Sequence, residues 1–114
     1  LAKHFRNMYC FMQQDHIPPL VAMVLGEAVR FPTLSRFFYE EMIRHSQDLM
    51  RRIITRGIAS GEFRASAGEL YTQLLFAPVL IGATWNLQFR EMAPIEMSSY
   101  AEMHIDFILR ALKT

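Results

Sequence analysis

The chain breakers do most to limit what this sequence can fold into. Pro18-Pro19, Pro32, Gly57, Gly61, Pro78, Gly82 and Pro94 divide 114 residues into stretches of helical period and helical length. Strand-like alternation is scarce. The expected fold is all-α, a bundle-like domain of five helices in which residues 1–114 form one unit. A chain this long buries roughly 65% of the surface its unfolded form exposes, enough for a core.

The first helix is expected over Leu1–Gln13, with Leu1, Phe5, Met8, Tyr9 and Met12 on one stripe. Prolines tolerate a first helical turn, so Pro18 and Pro19 open the second helix, which runs to Arg30. That helix is apolar nearly all round and is expected to be buried. At Arg30-Phe31-Pro32 the pattern breaks and resumes at once. A residue before proline avoids helical geometry, and proline itself suits the first position of a helix, so the break reads as a tight corner. Glu27 is the natural partner of Arg30, three residues on.

The third helix, Pro32–Ser60, carries Leu34, Phe38, Met42, Leu49 and Ile53 inward, with Glu40–Arg44 and Asp48–Arg52 as exposed pairs. Gly57 is a point where it can bend, and Gly61 suits the position just past its end. Ser66-Ala67-Gly68-Glu69 reads as a capping box opening a fourth helix over Ala67–Arg90, kinked at Pro78. Its "LLFAPVLIGATW" run is apolar on every side and therefore needs partners on two faces, most simply a second copy of the chain on one. A fifth helix over Glu96–Leu112 places Tyr100, His104, Ile105, Ile108 and Leu112 on one stripe.

Composition narrows function. Twelve basic against 11 acidic residues create no strong field for nucleic acid or an anionic membrane. The longest apolar run, Leu74–Ala83, is about half a membrane span. Cys10 is alone, so there is neither a disulfide framework nor a cysteine zinc site, and it reads as structural. A cytoplasmic protein is expected. No phosphate loop, nucleophile elbow or HExxH motif occurs, and no acid, base and nucleophile assemble, so no enzyme, cofactor or metal is expected. Glu41 and His45 have ligand spacing with His104 on another helix, but the plainer reading is a solvated pair. Arg51, Arg52 and Arg56 mark a wet face. Eight Met and nine Phe suit an adaptable apolar pocket as well as a core.

The segments "GEAVRFPTLSRFFYEEMIR", "RGIASGEFR" and "YAEMHIDFILRAL" together resemble the C-terminal regions of TetR/AcrR-type transcriptional regulators. The resemblance implies a domain that binds a small effector and pairs with a second subunit. Its last two helices would form a four-helix bundle across the dimer axis. DNA would be bound only through an N-terminal helix-turn-helix domain that this chain lacks. The chain opens at "LAKHF", already inside a helical pattern, which suggests sequence upstream.

Pocket residues do not transfer by motif, so the candidates rest on chemistry. For a small apolar effector they are Met8, Met12, Met23, Glu27, Phe38, Met42, Phe76 and Phe89, with Glu27 a possible polar anchor. For the homodimer surface they are Ala77, Ile81, Trp85, Gln88, Tyr100, His104, Phe107, Ile108 and Ala111. A freestanding dimerisation module and a small-molecule or lipid carrier are the other readings that this pattern allows.

Overall fold

A computed structural model describes residues 1–114 and is all-α. Its helices are α1 (Ala2–Met12), α2 (Ile17–Glu27), α3 (Pro32–Phe38), α4 (Arg44–Ala59), α5 (Gln73–Phe89) and α6 (Met97–Leu112). A π-helical turn, Tyr39–Ile43, joins α3 to α4 without leaving helical geometry, so the two form one rod and the fold has five rods. No helix is long and apolar enough to cross a membrane.

Pro18, Pro19 and Pro32 act as expected. Pro18 and Pro19 sit in the first turn of α2. Phe31 is pushed to φ −127° and ψ 86° by the proline after it, and Pro32 opens α3. The amides of Arg30 and Phe31 both bond to the Glu27 carbonyl, closing the corner.

The "GEFR" turn also has a physical account. Gly61 takes φ +84°, which side chains disfavour, and ends α4. Phe63 then folds back so closely on Gly57 that a methyl group there would overlap its ring. Arg64 reaches the far end of the chain: its amide bonds to Leu112 O at 2.8 Å and its Nε to Ala111 O at 2.8 Å. The turn therefore satisfies carbonyls left open at the C-terminus of α6.

Five expectations need correction. The inner stripe of the third rod does not run through Leu49 and Ile53. Gln47, Met50 and Ile54 are buried instead, because the π turn winds in one extra residue and rotates the face that follows. Ser66–Glu69 does not open the next helix. Residues Ala65–Glu69 form a 3₁₀ turn, the Ser66 hydroxyl accepts a bond from the Arg64 guanidinium, and α5 starts at Gln73. Thr72 marks that start, with its hydroxyl accepting from Gln47 Nε2 at 2.6 Å. In α2 only Ile17, Val21 and Val24 are buried, while Leu20, Met23 and Leu25 face outward. Cys10 is exposed rather than packed in the core. Of the two predicted pairs on the third rod, only Glu40–Arg44 closes, at 3.5 Å.

The core joins α1, α4, α5 and α6. Phe5 and Tyr9 come from α1, Met50 and Ile54 from α4, Leu75, Phe76 and Val79 from α5, and Ala101, Ile105, Ile108 and Leu112 from α6. Helix α2 lies against α5. Tyr100 of α6 occupies the niche left by Gly82 on α5, and its hydroxyl donates to Pro78 O at 2.7 Å. At the other end, Asn86 of α5 brackets Ile95 with two 2.9 Å bonds, and Trp85 Nε1 donates to Ala93 O. The Glu96 carboxylate caps α6 by accepting from the Ser99 amide at 2.6 Å. A bond from the Ser98 hydroxyl, with the one from the Ser99 amide, holds Glu96 below the usual carboxylate range.

Candidate functional site

An apolar cavity of about 120 Å³ opens where three rods meet. Helix α1 contributes Met8, Phe11 and Met12; the third rod Phe38, Met42, Ile43 and Ser46; and α5 Phe76 and Leu80. No charged side chain lines it. Met8, Met12 and Met42 supply flexible thioether walls that can move for an occupant, and Phe38 and Phe76 supply flat ones.

The structure thus brings together Met8, Met12, Phe38, Met42 and Phe76 of the candidates chosen by chemistry. Met23, Glu27 and Phe89 lie elsewhere. Met23 points outward from α2, because only one stripe of that helix meets α5. Glu27 pairs with Arg30 at 3.5 Å at the corner, half exposed, and anchors nothing in the cavity. Phe89 packs at a tilt against Trp85 at the end of α5, with ring centroids 4.7 Å apart. Phe11, Ile43, Ser46 and Leu80 were not among the candidates. Phe11, one turn beyond Met8, carried a helical-spacing signal. Ile43 sits in the π turn, where ordinary spacing misleads.

An open groove between α2 and α3 shares Phe38, Ile43 and Leu80 with the cavity. The cavity and the groove thus adjoin through these three side chains.

Between α1 and α6 lies a buried polar pair. Tyr9 OH on α1 is 2.6 Å from His104 Nδ1 on α6, while His104 Nε2 is buried with no hydrogen-bond partner. Phe5 meets the imidazole edge-on at 5.3 Å. Burial pushes the Tyr9 phenol up and the His104 imidazole down. The folded imidazole therefore takes a proton less readily than the unfolded one, and protons favour the unfolded chain. Stability is full above the ordinary histidine value of 6.5 and falls as pH drops below it. His4, also lowered by burial, adds to the same slope. Urea denaturation from about pH 7 to about pH 5 should show this loss, and His104→Asn should reduce it. An unchanged slope in the variant would place the titration elsewhere.

On the surface, Ala77, Ile81, Gln88, Phe107 and Ala111 are exposed, and Trp85 and Tyr100 partly so. His104 and Ile108 are not surface residues: they are 7% and 2% exposed and face the Phe5–Tyr9 side of the core. Helix α6 is apolar on two sides, and periodicity alone does not say which one turns inward. Leu74 and Met103 join Ile81 and Phe107 as large apolar side chains left in solvent on α5 and α6. Glu41 and His45 are exposed while His104 is in the core, and no group of three potential ligands could hold a metal ion.

Five helical rods around a shared core, with an apolar cavity where three of them meet, make a small all-α domain. Residues 1–92 match the family described as the tetracyclin repressor-like, C-terminal domain. The chain belongs to that family and is a TetR-type regulatory domain. The match reaches from α1 through α5, and α6 completes the core beyond it. No curated protein and no solved structure matches the chain.

Proposed function

We propose that this domain is a non-catalytic sensor that takes up a small apolar effector in the cavity between α1, the third rod and α5. In this reading it homodimerises through α5 and α6, acts in the cytoplasm, and controls DNA only through an N-terminal domain on the same regulator. The observation that carries it is the cavity itself. Met and Phe side chains from three separate rods enclose a space with no charge to satisfy, which suits an apolar guest. An apolar cavity of about 150 Å³ is enough to hold benzene, so the present space suits a molecule of about one ring.

Binding would act by selection between helix arrangements. Met8 and Met12 contact the guest from the same helix whose Phe5 and Tyr9 form the core with α6. An occupant that fits one setting of α1 better shifts the population toward it by its difference in affinity. The corner at Phe31–Pro32 and the π turn are the places where the third rod can adjust.

Toluene is a suitable probe. Calorimetric titration should show it binding the wild type, and Leu80→Phe, which puts a ring into the cavity, should weaken binding at least tenfold while helicity is retained. Equal binding by the two proteins would remove the cavity from the proposal.

A further inference from the structure

The cavity lining contains one hydroxyl, that of Ser46 in the first turns of α4. It donates to Met8 Sδ at 3.7 Å, and its oxygen lies 3.3 Å from His4 Nε2. A thioether is a weak acceptor, so this is a hydrogen bond that a better acceptor displaces readily. His4 stands behind the hydroxyl on α1, next to the open groove at that end of the helix rather than in the cavity. The Ser46 oxygen is thus held from outside while its hydrogen is spent on sulfur inside.

We infer that Ser46, backed by His4, is the residue that reads the effector's single polar atom, and that the effector is an uncharged, mainly apolar molecule carrying one hydroxyl or carbonyl oxygen. This rests on the cavity being the effector site. When His4 carries its proton on Nε2, Ser46 accepts from it and donates to a ligand oxygen. In the other tautomer, Ser46 donates to His4 and accepts from a ligand hydroxyl. Both leave one neutral hydrogen bond in an apolar enclosure. A carboxylate or ammonium is disfavoured there, because no opposite charge lines the space and burying an unpaired ion is costly. Neighbouring positions offer no second polar contact, since the remaining eight lining residues are hydrophobic.

Phenol and toluene make the test pair, being close in size and differing by hydroxyl against methyl. Titrated into the wild type, Ser46→Ala and Leu80→Phe, the two should separate the possibilities. The expected result is that Ser46→Ala weakens phenol about tenfold, the typical effect of leaving a buried hydroxyl unpaired, and changes toluene less than about twofold. Leu80→Phe should weaken both. Equal changes for both probes in Ser46→Ala, or none for phenol, would overturn the role of Ser46 while leaving the cavity as the effector site. Phenol that still binds Leu80→Phe as tightly as wild type would overturn it too, by placing phenol outside the cavity. Failure of both probes to bind the wild type would overturn the inference together with the reading beneath it.

Discussion

Phe5→Ala should lower the folding stability by about 3–5 kcal/mol, a large part of the roughly 5–15 kcal/mol available to a domain. The side chain is completely buried and sits where α1 meets the rest of the core. Removing the ring leaves a void that its neighbours cannot easily fill, because Met50, Val79 and Leu112 are themselves fully enclosed. It also strips the edge-on contact from His104, whose Nε2 already lacks a partner. Phe11→Ala, on the same helix but at the cavity wall and 39% exposed, should cost much less. Equilibrium urea unfolding of the two variants measures the contrast. A Phe5 loss below about 1 kcal/mol would mean that α1 is not an integral part of the core.

Phe107→Arg should weaken the proposed homodimer at least 100-fold, leaving monomer at micromolar concentration. Phe107 on α6 is 75% exposed and Ile81 on α5 is 53% exposed, on two helices that pack against each other. Large apolar side chains so placed on neighbouring helices favour a second protein surface, and a buried charge without a partner costs about 3–5 kcal/mol. Ile81→Arg should act in the same direction. Val29→Arg is the control, since Val29 at the α2–α3 corner is 91% exposed yet belongs to neither helix. Sedimentation equilibrium decides the matter. Dissociation by Val29→Arg and not by Phe107→Arg would move the interface to the α2 side.

Both predictions depend on which face of a helix turns inward, and that was only partly legible. The turns were readable because their causes are local. Pro32 dictates the backbone of Phe31, and Gly61 supplies the positive φ that ends α4. The third rod was readable up to Met42 and misread beyond it. A π turn has no proline or glycine to announce it, yet it rotates every later residue, so Met50 and Ile54 replaced Leu49 and Ile53. Residue chemistry found five of the cavity's walls, because methionines and phenylalanines on α1, the third rod and α5 meet when those helices pack. It missed Ser46, which is polar and matters only because His4 and Met8 arrive beside it from another helix.

By itself, then, the sequence determined an all-α chain, the breaks at Pro18-Pro19, Pro32 and Gly61, and a composition rich in Met and Phe. Those properties follow from single residues and their near neighbours. The tertiary structure alone decided that His104 and Ile108 turn inward, that Glu27 stays outside the cavity, and that one hydroxyl looks into it. Each of these depends on the rotation of one helix against another. That rotation is set by the summed packing of residues far apart in the chain.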